Sequence, residues 1–295
     1  MSRSIGLAHI IRHDDGTSTG VWGLYTLKSA FQPIFAFREG KLVVVAFEGL
    51  IRPFRDGEPQ SPAQFFGACP VAERLHIETV TRTLHLLNAG ACLPQDASIF
   101  INFDPSVFVD HAVADNALRE MRLVLHEAGI EAGRVVCEVT EQPSASQEAL
   151  YAFVEALRAN GLRIAVDDYG ADESDIKRIE ELRPDIVKFD AQWTGQLMDS
   201  ATGFALLTAM VEGFERQGIH TVFEGIEEGW QLELAERSGA SMVQGFVLAR
   251  PELAPTSFAR PRAEVVPGAA AASDVLPPVP RPGRRPRAFG RRAAP

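Results

Sequence analysis

The sequence predicts an α/β fold in which a closed ring of strands is surrounded by helices. Four segments share one unit, in which a helical stretch, a glycine and a short apolar run precede acidic or amide side chains; they span residues 133–141, 161–168, 218–224 and 239–244. Glycine suits the left-handed residue that ends a helix, and a short Val/Ile-rich run bounded by turn residues is typical of a buried strand. Helices that alternate with such strands favour right-handed crossovers and a parallel sheet.

A closed barrel fits this pattern better than an open, doubly wound sheet. A parallel barrel builds its active site at the C-terminal ends of several strands, whereas an open sheet gathers its ligand at one switch point. Polar side chains here follow seven strand ends, and neither common glycine-rich nucleotide loop is present. The 295 residues suffice for one barrel of about 250 residues or for two smaller domains. One rim of the barrel would collect Glu138, Asp167, Asp168, Glu224 and Gln244.

The first half of the chain predicts two of the strands and one long helix. The apolar run over residues 42–47 predicts the first strand, which is followed by Glu48. Residues 71–89 place large apolar side chains at near-helical spacing, and we expect this helix to stop at the glycine that follows it. Residues 96–103 predict the next strand, which carries Asn102 near its end.

The second half continues the alternation of helices and strands. Ser144, with a glutamine three residues later, has the spacing of a capping box, and it predicts a helix that stops at Gly161. A further apolar helical stripe lies over residues 204–214. Residues 183–190 predict a short strand that carries Lys188, with a proline near its start, where the missing N–H does least harm.

Charge and composition divide the chain into three parts. The net charge is −10, but residues 259–295 hold eight arginines against two acids and are rich in Pro and Ala. Such a segment cannot bury enough apolar surface to offset its ordering entropy. We therefore expect a disordered basic tail over residues 259–295, a barrel domain over residues 30–258 and an N-terminal extension over residues 1–29. The acidic body would repel phosphates unless cations screen it, which argues against a nucleic-acid polymer as the main partner.

Several classes of protein are disfavoured by simple counts. The longest apolar runs fall far short of the roughly 20 residues that a membrane helix needs, so we expect no membrane span. Charged residues interrupt the N-terminal region before an apolar stretch typical of a secretory signal can form. Three cysteines, Cys69, Cys92 and Cys137, are odd in number and lack metal-type spacing, so we expect core residues in a cytoplasmic protein.

Eight short motifs occur in the same order as in the EAL-domain phosphodiesterases, and the chain resembles this family over residues 30–253. The motifs are Phe31-Gln-Pro-Ile34, Phe47-Glu-Gly-Leu-Ile-Arg52, Asn102, Glu138-Val-Thr-Glu141, Asp167-Asp-Tyr-Gly170, Val187-Lys-Phe-Asp190, Glu224-Gly-Ile-Glu227 and Gln244-Gly-Phe246 through Arg250-Pro251. The resemblance implies a modified TIM (β/α)8 barrel. It also implies a hydrolase that converts the second messenger cyclic di-GMP to linear pGpG with Mg²⁺ or Mn²⁺, and that often acts as a homodimer.

The implied chemistry explains why these residue types are needed. Two cations activate a water and neutralise charge on the diester oxygens, and hard cations prefer carboxylate and amide oxygens. The resemblance assigns one cation to Glu48, Asn102, Glu138 and Asp167, and the second to Asp167, Asp168 and Glu224. Lys188 matches the family's lysine near the attacking water. Orienting that water, assisting its deprotonation and balancing the acids are roles that stay open.

Further positions match residues that line or support the substrate groove of the family. They are Gln32, Leu50, Arg52, Asp190, Glu227 and Gln244. Arginine offers forked donors that suit a phosphate. Glu141 corresponds to the family's glutamate that braces the loop after the aspartate pair.

The chain departs from the family pattern at two places. Gly49 stands where the family's signature triplet has alanine; the change removes only a methyl, so we expect the ligand Glu48 to be kept on a somewhat looser backbone. Residues 171–176 are acidic where the family has a small, serine-rich loop.

Two other functions stay open: a receptor that binds cyclic di-GMP without cutting it, and a scaffold that binds another protein. Whichever function holds, we expect regulation to come from a protein partner, the dimer interface or the tail.

Overall fold

The computed structural model describes residues 6–107, 110–140, 146–171 and 175–259. The strands are β1 (Ile10–Arg12), β2 (Ser18–Trp22), β3 (Tyr25–Arg38), β4 (Lys41–Arg55), β5 (Glu58–Pro59), β6 (Ser98–Phe103), β7 (Val135–Val139), β8 (Arg163–Tyr169), β9 (Ile186–Phe189), β10 (His220–Phe223), β11 (Met242–Val243) and β12 (Glu252–Leu253). The helices are α1 (Pro62–Ala68), α2 (Arg74–Cys92), α3 (His111–Ala128), α4 (Gln147–Ala159), α5 (Asp175–Leu182), α6 (Ala191–Met198), α7 (Ala201–Glu215) and α8 (Gly229–Ser238). None of these described helices is both long and apolar enough to cross a membrane.

Eight strands close into a barrel, which confirms the predicted fold class. Their order around the barrel is β3, β11, β10, β9, β8, β7, β6 and β4, and β4 pairs with β3 to complete the ring. From β4 through β11 the neighbours in the ring run parallel. The strand β3 is antiparallel to both of its barrel neighbours, so the barrel is a modified version of the all-parallel (β/α)8 fold.

The first strand of the barrel lies earlier in the chain than predicted. The run over residues 42–47 belongs to β4, which continues to Arg55, and β3 precedes it as the other arm of a long hairpin. The prediction of parallel pairing was therefore wrong for β3, because a tight turn at residues 39–40 forces consecutive strands to run in opposite directions. Strands β1 and β2 continue the sheet from β3 outward, within the predicted N-terminal extension.

The helix-ending glycines are confirmed at three of the four predicted units. Gly161, Gly218 and Gly239 have φ of 82°, 76° and 80°. In the remaining unit Gly129 ends α3 with φ of 65°, and Gly133 lies in a short turn before β7 instead. Where several glycines fall close together, the composition alone does not say which one takes the left-handed conformation.

Two predicted helix ends need adjustment. The helix α2 continues through Gly90 to Cys92, so this glycine does not end the helix. A Cβ at Gly90 would lie only 2.2 Å from the carbonyl oxygen of Ala128 in α3. The glycine therefore permits close contact between two helices. The helix α4 is capped by Ser146, whose side chain accepts a hydrogen bond from the backbone of Ala149. The predicted cap Ser144 lies outside the described residues.

The barrel interior contains an apolar layer to which every barrel strand contributes. Seven buried residues from seven strands contact one another, and Met242 of β11 packs against them. We call these seven the apolar layer: Ile34, Ala46, Phe100, Val136, Ala165, Ile186 and Val222. A separate, larger apolar cluster fills the space between the barrel and the helices. The apolar layer therefore closes the interior of the barrel and supports whatever lies above it.

The domain boundaries and the tail stay predictions. Residues 260–295 lie outside the described part of the chain, as do residues 172–174 of the acidic segment. Of the cysteines, Cys92 and Cys137 are buried as predicted, whereas Cys69 is half-buried.

Candidate functional site

Each barrel strand carries a polar residue two positions from its apolar-layer residue or, in β11, from Met242. Strand side chains alternate with a period of two, so these residues lie on the same inner face, one level nearer the rim. In the parallel strands the polar residue follows the apolar one, and in antiparallel β3 it precedes it. We call this set the polar layer: Gln32, Glu48, Asn102, Glu138, Asp167, Lys188, Glu224 and Gln244.

Lys188 lies at the centre of the polar layer and contacts four carboxylates. It is only 1% exposed, and its Nζ lies 2.6 Å from Glu138 Oε1, 2.8 Å from Glu224 Oε1 and 3.0 Å from Asp167 Oδ1. Glu48 Oε2 is 3.8 Å away. One ammonium therefore faces four acids, so the cluster has an excess of negative charge when all four are ionised.

The electrostatics of the cluster follow from burial and mutual repulsion. Burial raises the pKa of Glu138 well above its usual range, although Lys188 opposes the shift. Burial also raises the pKa of Glu224 to about 8. For Lys188, burial lowers the pKa, but the surrounding carboxylates outweigh this effect and raise it well above the usual value. In this arrangement Lys188 keeps its proton, but its single positive charge does not balance the four carboxylates.

Three carboxylates at the rim approach one another closely enough to share a cation. Asp167, Asp168 and Glu224 each present an oxygen, and these oxygens lie within 4.8 Å of one another. Asp168 has a left-handed backbone with φ of 53°, and the register of β8 against β9 shifts at this point. Such a residue interrupts strand alternation, which explains how two consecutive aspartates serve one rim. A non-glycine residue held in this conformation costs about 1 kcal/mol or more.

The donor set fits hard divalent cations. All the clustered acids offer oxygens, which Mg²⁺ and Mn²⁺ prefer, and the amide of Asn102 lies on the same inner face. Glu138 Oε2 is buried and accepts no hydrogen bond from any residue in the described part of the chain. A buried carboxylate oxygen without a partner is costly, and a bound cation would remove that cost.

The polar layer opens onto a groove with two parts. The larger part has a volume of about 450 Å³, and Asn102, Asp167 and Asp168 are among the residues that line it. The smaller part has a volume of about 240 Å³ and contains Glu48 and Glu224. Leu50 borders both parts. The acidic cluster therefore lies where the two parts meet.

Most of the residues predicted to bind substrate border this groove. Arg52 lines the larger part, and Gln32, Glu227 and Gln244 line the smaller part. Gln244 also donates a hydrogen bond of 2.7 Å from Nε2 to Glu48 Oε2, which orients that carboxylate. Gln32 donates from Nε2 to the carbonyl of Ala249 over 3.3 Å.

Two predicted positions are not brought to the groove by the described structure. Asp190 lines neither part, and its Oδ1 accepts a 2.7 Å hydrogen bond from the backbone of Trp193, which caps α6. Glu141 lies outside the described residues, so its predicted role as a brace for the loop after Asp168 stays a prediction.

One wall of the larger part was missed at the level of sequence. It is formed by polar residues of α2, which are Arg74, Glu78, Thr81, Arg82 and His85. Glu78 pairs with Arg82 over 3.3 Å, and burial raises the pKa of Glu78 to about 7. The available signal was that polar residues recur at helical spacing, at positions 74, 78, 81 and 85, along one side of the predicted helix.

The space beside Gly49 is filled by a side chain of α2. A Cβ built on Gly49 would lie 3.1 Å from His85 Cγ and 3.3 Å from His85 Cδ2. The missing methyl therefore does not leave a void next to Glu48, because the imidazole ring packs against the glycine. The predicted looseness of the backbone is not required to explain the glycine.

Comparison with known proteins identifies the family. Residues 24–251 match the model of the EAL domain. The chain is 31% identical over 224 residues to the uncharacterized EAL-domain containing protein YkuI of Bacillus subtilis, covering 75% of this chain and 54% of YkuI. It is 28% identical over 257 residues to the probable cyclic di-GMP phosphodiesterase PdeG of Escherichia coli, covering 80% of this chain and 47% of PdeG. The chain thus spans about half the length of these two relatives.

Solved structures agree with this assignment. A complex of BlrP1 from Klebsiella pneumoniae with manganese and cyclic di-GMP has a TM-score of 0.68 at 29% identity, over 77% of this chain and 56% of BlrP1. The structure of YkuI with cyclic di-GMP and calcium has a TM-score of 0.66 at 29% identity, with the same coverage. Because the family model matches most of its length and the barrel matches these structures, the chain belongs to the EAL domain family.

Proposed function

We propose that the protein hydrolyses cyclic di-GMP to linear pGpG with two divalent cations, Mg²⁺ or Mn²⁺. The observation that carries this proposal is the polar layer itself, in which four carboxylates surround Lys188 where the two parts of the groove meet. Relatives with related sequences support it, since BlrP1 and YkuI have been solved with cyclic di-GMP and a divalent metal.

The cations would be held by the oxygens of the polar layer and of Asp168. One would be bound by Glu48, Asn102, Glu138 and Asp167, and the second by Asp167, Asp168 and Glu224. When bound, two such cations supply an activated water and neutralise charge on the reacting phosphate. Glu138 contributes the strongest argument for this arrangement, because its buried oxygen lacks a partner among the described residues.

Lys188 positions the acids and the reacting water. Its three short ion pairs hold carboxylates from three different strands at fixed separations. Its ammonium already donates to these carboxylates, and it would likewise donate a hydrogen bond toward the water or the phosphate. Gln244 supports the same geometry by fixing Glu48.

The groove suits a substrate with two similar halves. Its two parts flank the acids, so that one phosphodiester can lie at the polar layer while a guanylate extends to each side. In the larger part Arg52 offers forked donors to a phosphate. In the smaller part Gln32, Glu227 and Gln244 supply polar contacts to the other half, with Leu50 between the two. Hydrolysis adds one water across one phosphodiester P–O bond, leaving a phosphate monoester and a free hydroxyl.

The test is to incubate the purified protein with cyclic di-GMP and Mg²⁺ or Mn²⁺ and to follow the products by chromatography. We expect pGpG with the wild type and, with Glu48→Gln, at least about 100-fold slower formation, because one ligand charge is lost. Tight binding without product in either ion would contradict hydrolysis and favour the receptor function. Failure to bind cyclic di-GMP at all would favour a protein-binding scaffold.

A further inference from the structure

A histidine of α2 borders the groove outside the polar layer. His85 is 3% exposed and lines the larger part of the groove, where Arg52 also lies. Its ring packs closely against Gly49, where an added Cβ would lie 3.1 Å from His85 Cγ. An alanine at Gly49 would require this ring to shift by a few tenths of an ångström, so the glycine and the histidine are structurally linked.

A buried hydrogen-bond network fixes the orientation of this histidine. The Asn88 amide is held by Ser18: Oδ1 accepts from the Ser18 backbone N–H over 2.7 Å, and Nδ2 donates to the Ser18 carbonyl over 3.0 Å. Nδ2 also donates to Ser29 Oγ over 3.0 Å. Ser29 Oγ lies 2.9 Å from His85 Nδ1.

The network also assigns the position of the ring proton. Ser29 Oγ already accepts from Asn88, and its own hydroxyl proton finds an acceptor in His85 Nδ1. Reversing that bond would leave the proton of a buried hydroxyl unused, at a cost comparable to a lost hydrogen bond. The neutral ring therefore carries its proton on Nε2. Burial lowers the pKa of His85 to about 3, with a smaller contribution from Arg52, so the ring stays neutral near pH 7.

The Nε2–H group is a donor for which the described residues supply no acceptor. Within the described residues, the hydrogen bond of the ring is the one at Nδ1. The network thus fixes one donor in a residue of the groove wall, and Arg52 of the same wall is close enough for its charge to lower the pKa of His85. Two adjacent donors of this kind suit an anionic oxygen.

We propose that His85 contacts the substrate, donating from Nε2 to a non-bridging phosphate oxygen of the dinucleotide in the larger part of the groove, and that Gly49 makes room for its ring. This inference rests on the proposed function and names a further determinant of substrate binding. Asn88 and Ser29 are positioning residues, since they act through His85.

A matched pair of variants tests the contact. In His85→Asn the amide can replace Nδ1 toward Ser29 but does not reach the groove, whereas in His85→Gln the longer amide reaches the position of Nε2 and supplies a donor. We expect the Kd for cyclic di-GMP, measured calorimetrically with Ca²⁺, to rise about fivefold or more in His85→Asn and to stay within about twofold in His85→Gln. In thermal unfolding, His85→Asn should be more stable than His85→Gln, because only asparagine keeps the hydrogen bond to Ser29.

Equal affinities for the two variants, or weaker binding by His85→Gln, would overturn the inference and leave His85 a packing residue. A double-mutant cycle adds a second measurement: Gly49→Ala should weaken binding in the wild type and have little effect in His85→Asn. Additive effects would contradict the link between the two positions. Because binding is read out directly, a wild type that binds without cleaving would refute hydrolysis alone, whereas one that does not bind would refute both claims.

Discussion

The apolar layer and the polar layer lie on the same strands, on the same inner face of one barrel, two residues apart. Val136 and Glu138 are both fully buried neighbours on β7, and Ile186 and Lys188 stand in the same relation on β9. Yet one layer contains side chains that pack without charge, and the other contains acids held around a single ammonium. The secondary structure is the same in both layers, so the difference lies in what each layer does.

The comparison teaches that the polar layer is not explained by stability. Burying apolar side chains contributes about 1.5–3 kcal/mol each for residues the size of valine or leucine. Burying ionised groups carries a desolvation penalty, and well-packed apolar replacements are often as stable. Raised pKa values at Glu138 and Glu224 show the same unfavourable balance. Costly groups gathered on one rim are typical of a functional site.

The largest effect is expected from removing the ammonium group of Lys188 at the centre of the polar layer. Lys188→Met would leave the acids without their common partner, so we expect a loss of about 3–5 kcal/mol of unfolding free energy in the presence of a chelator. We also expect hydrolysis to fall by at least about 100-fold. Urea unfolding and product chromatography measure the two effects.

The matched control for this variant is Lys177→Met on α5. Lys177 is 78% exposed and pairs with Glu181 over 3.5 Å at i, i+4 spacing. Its loss should change stability by no more than about 0.5 kcal/mol. Similar losses for the two lysines would show that Lys188 is not the centre of a buried cluster.

A smaller effect is expected at His85, which packs against Gly49 and borders the groove above the polar layer. Its pKa is about 3 when folded, against 6.5 as the ordinary value, so the unfolded chain binds more protons between these limits. Stability from this group is therefore present above pH 6.5 and is lost as the pH falls toward 3. At pH 5 the expected loss relative to pH 8 is about 2 kcal/mol. Unfolding of wild type and His85→Asn at both pH values measures it, and identical pH dependences would contradict a buried neutral ring.

The smallest effect is expected from removing the hydrogen bond between Gln244 and Glu48 within the polar layer. Gln244→Leu removes the hydrogen bond to Glu48, which should lower kcat/KM about tenfold through misorientation of the carboxylate. Gln217→Leu is a suitable control, because the exposed Gln217 side chain donates to the Gly213 carbonyl of α7, away from the polar layer. Unchanged kcat/KM in Gln244→Leu would show that the Gln244 amide does not orient Glu48 for hydrolysis.

The layers show which part of the site can be predicted from sequence. Acids that follow short apolar runs were predicted to meet at one rim, and Glu138, Asp167 and Glu224 do so around Lys188. This succeeded because strand ends and side-chain alternation are local properties. The EAL family assignment was predicted from motif order and is confirmed by the family match.

Features that depend on distant contacts were not predicted. The pairing of β3 with β11 was missed because it joins strands that are far apart in the chain. The hairpin of β3 with β4 is local, and its turn at residues 39–40 was a signal that the sequence contained. The α2 wall was missed because helical periodicity reports which residues are apolar, and not which barrel face the polar ones meet. Gly49 could not be explained without His85, which lies 36 positions further along the chain.

One pair of substitutions on β7 tests the central claim that neighbouring layers have separate tasks. Unfolding free energy and pGpG formation would be measured for Val136→Ala and Glu138→Gln. We expect Val136→Ala to lose about 1–3 kcal/mol of stability while kcat at low temperature stays within about threefold, and Glu138→Gln to lose at least about 100-fold in kcat with stability unchanged or increased. Equal losses of stability and activity in both variants would contradict the account.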